Sequence, residues 1–433
     1  MTESNTPEWQ RASLIPTTGI GGASEQEVRA TSATLSVLSA VPDFSKAVLR
    51  QFGAPAGKVE TFVETSFKLP DGRMVRPDGL IRVTGRGRTW IGLVEVKTGR
   101  NLLESEQLES YLDVARINNF DALVTFSNQF SPSAGVHPVK VDSKKVRKTE
   151  MHHMSWTALI TQAVIQHEHR GISDPDQAWI LEELIRYLEH PKSGAHEFQD
   201  MGQHWTSVKN SAKSGTLREA DPGVEEVVER WIEFMRFLSL QLGRELGAEV
   251  RQHLSENDRK DQGFRVNNAK RFLESDHTLR GAFRIPDAIA PISVSANLAK
   301  RIVEADINVD APKVGMPKTR VNWVVRQLKN APGETRIVAG FGRRRQTTSN
   351  TLAALREDPT LGLLIDNKIE PTRFSIALAD DMGIKKGNGQ GSFVDSVQTT
   401  LETFYGEIVQ GLKAWQHPAP KLPPPETNPD NIE

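Results

Sequence analysis

The sequence predicts an α/β fold, with a helix, three strands, a helix and a strand as its leading core. Three observations carry that prediction. Apolar residues recur at helical spacing between residues 24 and 49, and the period drops to two from Val59. A further helical segment is then flanked by short apolar runs. Behind this core we expect a helical linker region and a C-terminal α+β domain.

The first helix opens at Ser24, with Glu27 three residues on in capping-box spacing and Glu25 as a second first-turn acid. Leu35, Val37, Leu38, Val41, Phe44, Val48 and Leu49 give it an apolar face, and Pro42 marks a kink or break. Between Val59 and Phe67 the residues alternate at period two, which reads as a strand. Asp71 and Gly72 form a tight-turn dipeptide. Residues 76–83 and 90–97 read as two more strands, turned at 85–88. Residues 104–118 form a helix with Leu108, Tyr111, Leu112 and Ala115 on one face, and 122–126 a short buried strand. A strand at 150–155 and helices at 156–167 and 175–189 complete a first domain of residues 23–190.

Residues 191–221 are rich in Ser, Gly, Lys and His and read as a linker. A helix over 224–254, carrying Trp231, Phe234, Phe237 and Leu238, opens a C-terminal domain of residues 222–416. Strands are expected there near 279–285, 292–296, 336–341 and 374–379, with helices near 322–330 and 392–415. Residues 1–22 read as a flexible arm, and the Pro-rich, acidic 417–433 as a disordered tail.

Composition bounds the function. In 433 residues, 37% hydrophobic and 25% charged, there is enough apolar material to form real cores. The absence of cysteine excludes disulfides, thiolate zinc sites, iron–sulfur clusters and cysteine nucleophiles. No run approaches the roughly 20 apolar residues of a membrane helix, and the first residues carry acid where a secretory leader carries base. A cytoplasmic protein with no membrane partner is expected. A net charge of −1 advertises no nucleic acid globally, so such a partner must meet a local patch.

The informative residues lie between 76 and 111. Asp78 follows Pro77 at the start of one expected strand. Glu95 and Lys97, two apart on the next, project from the same face about 6.6 Å apart along it. Two carboxylates and an ammonium on one sheet face are costly to bury without a purpose. A hard divalent cation fits, since it takes one or two carboxylates plus water and phosphate oxygens. Asp78 and Glu95 would hold Mg²⁺, or Mn²⁺ in its place, and Lys97 would steady the attacking water and developing charge. Gln107 and Tyr111, at i and i+4, present one helical face toward the same region. Exchanging Lys97 for Met is expected to leave folding intact while removing that charge.

Pro77-Asp78 followed after 16 residues by Glu95-Val96-Lys97 resembles the PD-(D/E)XK nuclease superfamily. Gln107-Leu108-Glu109-Ser110-Tyr111 is similar to the QxxxY motif of its RecB-like branch. The resemblance covers about residues 24–170 and implies a restriction-endonuclease-like core with Mg²⁺-dependent phosphodiester cleavage, usually of DNA. It makes Asp78, Glu95 and Lys97 catalytic, with Gln107 and Tyr111 as branch residues. For the superfamily's upstream acid, Glu27 is the first candidate and a further metal ligand; Glu64 is its rival. No His precedes Asp78, a departure from many members of that branch.

Five basic residues among nine positions, Lys140, Lys144, Lys145, Arg147 and Lys148, with Arg76 and Arg100, form a candidate phosphate-tracking stripe. Arg73, Arg82, Arg86 and Arg88 extend it, and Arg343, Arg344 and Arg345 form a second basic cluster. His152 and His153 face opposite ways on a strand and lack a metal-ligand partner set. The sequence leaves three functions in play: a metal-dependent deoxyribonuclease in defence or DNA processing, a silent DNA-binding or assembly module, and an RNA-cleaving effector. The C-terminal domain is expected to recognise a target or to join a second copy or a partner protein.

Overall fold

The computed structural model describes residues 10–11, 25–131, 135–195, 198–342, 346–359, 363–365 and 368–416. Ser24, Arg343, Arg344, Arg345, the tail 417–433 and all of the arm but 10–11 lie outside the described residues. The chain divides into two compact units. The larger runs to residue 286 and takes in 293–303 and 380–399, and the smaller holds the rest.

The larger unit is built on a six-stranded mixed sheet. Strand β1 (Gln10–Arg11) precedes helices α1 (Glu25–Ala40) and α2 (Pro42–Leu49), which meet at the expected Pro42 break. Strand β2 (Gly57–Val63) follows, then a short hairpin of β3 (Phe67–Lys68) and β4 (Met74–Val75) turned through Gly72 at φ 87°. The expected strand from Val59 to Phe67 is therefore interrupted. Glu64 takes a left-handed backbone, φ 52°, which ends β2 and sends the chain out into the hairpin.

Strands β5 (Gly79–Gly85) and β6 (Thr89–Val96) pair antiparallel, and α3 (Ser105–Asn118) crosses to β7 (Ala122–Ser127), parallel to β6. Strand β8 (Glu150–Ser155) pairs parallel with β7 at the sheet edge and leads into α4 (Trp156–Val164). Helix α5 (Pro175–Glu189) follows. The element order α, βββ, α, β is the one the periodicity predicts.

Alternation along the strands sends side chains to two cores. Val94, Val96, Val124, Phe126 and Met154 pack with α1, α2, α4 and α5, where Phe126 stacks on Trp156 at 5.8 Å. Leu80, Leu93 and Leu123 pack on the other face against Leu108, Tyr111 and Leu112 of α3. The glycine at 79 has a steric reason. A Cβ there would lie 2.5 Å from Leu35 Cδ1 and 2.9 Å from the Phe62 carbonyl.

The larger unit continues past residue 190. The expected linker contains α6 (Trp205–Lys213), and α7 (Val224–Leu246) ends at Gly247 in the left-handed conformation, short of the expected 254. Strand β9 (Arg251–Gln252), helices α8 (Glu256–Lys260) and α9 (Gln262–Asp276), and strands β10 (Thr278–Arg284) and β11 (Ile292–Asn297) come next. The smaller unit centres on β12 (Ile302–Asp310), α10 (Pro317–Gln327), β13 (Arg336–Gly340), β14 (Thr347–Thr351), α11 (Leu352–Glu357) and β15 (Arg373–Asp381). There β13 is antiparallel to both β14 and β15. The last helix is α12 (Phe393–Glu407).

Candidate active site

The β5–β6 register brings the two carboxylates together. Gly79 pairs with Val94, so one step on Asp78 stands opposite Glu95. Both project to the α3 face, in line with Leu80 and Leu93. The Val96 amide donates to Asp78 Oδ2 at 2.7 Å, tying that carboxylate to the end of β6. Glu95 is 1% exposed, and Lys97 Nζ donates to its Oε1 at 2.6 Å. Its other oxygen, Oε2, is buried without a hydrogen-bond partner.

Burial pushes the Asp78 carboxyl well above its usual range, and the Glu95 charge beside it adds to the shift. Burial also raises Glu95, against the pull of Lys97. Burial disfavours the Lys97 ammonium, but Glu95, and after it Asp78 and Glu27, outweigh this and hold it above the ordinary lysine range. Two desolvated carboxylates share one ammonium. That is an electrostatic deficit which an additional cation would fill.

The backbone around Lys97 is held from three sides. Its amide donates to the Phe126 carbonyl at 2.8 Å, and its carbonyl accepts from Trp156 Nε1 at 2.9 Å. The following loop is held by Glu27, whose Oε1 accepts from Asn101 Nδ2 at 2.7 Å and from the Thr98 amide at 3.4 Å. Glu27 thus reaches the site from α1, whereas the Glu64 side chain is exposed and only its amide contacts the Asp78 carbonyl, at 3.2 Å.

Gln107 and Tyr111 share a face of α3 as their spacing predicts. Gln107 Nε2 donates to the Tyr111 hydroxyl at 2.9 Å, which donates to the Arg76 carbonyl at 3.2 Å. The pair therefore holds the backbone that delivers Pro77 and Asp78. Burial and the Glu95 and Asp78 charges keep the phenol protonated far above its ordinary range.

The basic residues are less of a stripe than a sequence count suggests. Lys145 binds Asp113 Oδ2 at 2.7 Å on α3, and Arg73, Arg82 and Arg88 pair with Asp71, Glu60 and Asp121. Arg76 is exposed and its Nε donates to Ser66 Oγ at 3.2 Å. Arg100, Lys144, Arg147 and Lys148 are exposed. No family model matches the chain, and no curated protein or solved structure matches it.

Sequence reasoning missed a polar row beside the site. Glu95, Thr125 and His153 are register partners on β6, β7 and β8. Proton bookkeeping fixes this network. The Gln129 carbonyl can only accept, so His153 Nε2–H donates to it at 2.8 Å, and the Nδ1 of the neutral ring accepts from Thr125 at 2.8 Å. With its proton so used, Thr125 Oγ1 accepts from His137 Nε2–H at 2.9 Å, which leaves His137 Nδ1 to accept from the Val139 amide at 3.0 Å. Every member is satisfied with both imidazoles neutral. Burial accordingly pushes His137 down to about 4 and His153 to about 3. His137 sits in a loop with no periodicity to flag it.

Among the described residues, no group of three or more His, Asp or Glu side chains is arranged to hold a metal ion. Two carboxylates suffice for Mg²⁺, which keeps several waters. The partnerless Glu95 Oε2, opposite Asp78, fits that donor requirement. Among the described residues no helix is long and apolar enough to cross a membrane.

Proposed function

We propose that this chain is a Mg²⁺-dependent nuclease that hydrolyses phosphodiester bonds of DNA, on a core of the PD-(D/E)XK type. The observation that carries the reading is the desolvated Asp78–Glu95 pair, with one buried oxygen unpartnered and a single ammonium beside it. Asp78 and Glu95 would hold the metal, which when bound polarises a phosphate and acidifies a water. Lys97 keeps its proton and presents a fixed positive charge where an attacked phosphate gains negative charge. Gln107 and Tyr111 hold the Arg76 carbonyl and so the approach of Asp78. Glu27 holds the loop after Lys97. The exposed Arg100, Lys144, Arg147 and Lys148 are the cations available to a nucleic-acid backbone.

Incubating purified protein with plasmid, linear duplex, single-stranded DNA and RNA, each with Mg²⁺ or with chelator, tests this. Metal-dependent loss of DNA substrates is the expected result. Cleavage of RNA alone would move the substrate class, and no cleavage of any substrate would leave a binding or assembly module.

A further inference from the structure

A cleft of about 520 Å³ opens in the larger unit at the β8 edge of the sheet. Its lining includes His152 and His153 of β8, Arg236 of α7, and Glu249, Arg251, Gln252 and Arg259 around β9 and α8. Three arginines there meet one carboxylate, and that carboxylate is committed. Arg251 Nε and Nη2 donate to Glu249 Oε1 and Oε2 at 3.0 and 2.7 Å.

Arg236 is left over. It sits on α7 between the buried Met235 and Phe237. Burial pulls its guanidinium below the ordinary arginine range, with Glu249 opposing. Among the described residues that half-buried guanidinium, which lines the cleft, makes neither a hydrogen bond nor an ion pair. A desolvated cation whose nearest carboxylate, Glu249, is already bound by Arg251 is costly, and a planar fork of donors matches phosphate oxygens.

A second observation points the same way. Arg265 Nη2 donates to Gln252 Oε1 at 2.6 Å, so the Gln252 amide turns its oxygen to Arg265 and keeps its N–H donors free for the cleft. His153 contributes shape only, because Thr125 and Gln129 occupy both its nitrogens. The volume lies within the range of roughly 300–1,000 Å³ typical of small-molecule sites, and a concave site suits a compact anion better than a duplex.

We propose that this cleft binds the phosphate group of a small molecule, with Arg236 as its central ligand and Arg259 and the Gln252 amide completing the donors. The proposal stands whether or not the chain cleaves DNA.

Thermal unfolding of the full chain in inorganic phosphate, in AMP, and in sodium chloride of equal ionic strength tests it. Wild type should melt several degrees higher in phosphate or AMP than in chloride. Arg236→Met and the exposed Arg259→Gln should each lose most of that gain. Lys97→Met, which removes the cation of the other site, should keep it. An equal gain in wild type and Arg236→Met, or a gain abolished by Lys97→Met alone, would overturn the assignment. So would an Arg236-dependent gain seen with a single-stranded oligonucleotide but with neither phosphate nor AMP.

Discussion

Lys97 is the cation nearest the buried Glu95 and the half-buried Asp78, and this changes what its removal should do. The expectation that Lys97→Met folds as well as wild type does not survive the geometry. Taking away the ammonium 2.6 Å from Glu95 leaves both carboxylates uncompensated, which is destabilising. Lys97→Met should therefore melt lower without metal and cleave roughly 10²-fold more slowly, the scale of losing one preorganised stabilising group. A normal melting temperature with normal turnover would mean that Lys97 serves neither role. The opposite sign is expected at Asp78. Asp78→Asn removes the like charge facing Glu95 and should raise stability by about 1 kcal/mol, a shift of a few degrees in calorimetry, while ending cleavage. A lower melting temperature would show that the two carboxylates do not strain the fold.

At the scale of elements, α3 divides its residues between packing and positioning. Leu112 is buried in the core beneath it, and Leu112→Ala should cost about 2–5 kcal/mol by chemical denaturation. Gln107→Ala should cost little stability but slow cleavage, because the Tyr111 hydroxyl loses the donor that orients it toward the Arg76 carbonyl. Equal destabilisation by both, with unchanged activity per folded molecule, would contradict this division. Strand and helix periodicity made β5, β6, α3, β7 and β8 legible because each buries a regular face. The Asp78, Glu95 and Lys97 juxtaposition was legible for the same reason: one face of a strand and one register. What stayed hidden depends on contacts distant in sequence. The break at Glu64 is a backbone turn, α9 has little amphipathic contrast, and His137 joins the polar row only through a loop. Pairing of Lys145 with Asp113 and Glu109 depends likewise on a loop folding back on α3.

For the whole molecule, the His137–Thr125–His153 row sets an acid limit. Both imidazoles titrate lower folded than unfolded, so the unfolded chain binds more protons below about pH 6.5. Their contribution is complete above pH 6.5 and is lost as pH falls toward about 4 and then 3. Asp78 and Glu95, raised by burial, act in the other direction, since their cost appears as pH rises and they ionise. Melting temperature followed from pH 7 to 4 in wild type and His153→Gln separates the two. The variant should show the shallower fall, and identical slopes would remove His153 from the account of acid lability.

The proposed nuclease depends most directly on the carboxylate facing Glu95. The decisive measurement is single-turnover cleavage of labelled DNA by wild type and by Asp78→Asn, in Mg²⁺ and in chelator, at a temperature where both are folded. Wild type should cut only with Mg²⁺, and Asp78→Asn should not cut in either condition. Cleavage by Asp78→Asn at the wild-type rate, or wild-type cleavage indifferent to chelator, would contradict a metal-dependent site at Asp78 and Glu95.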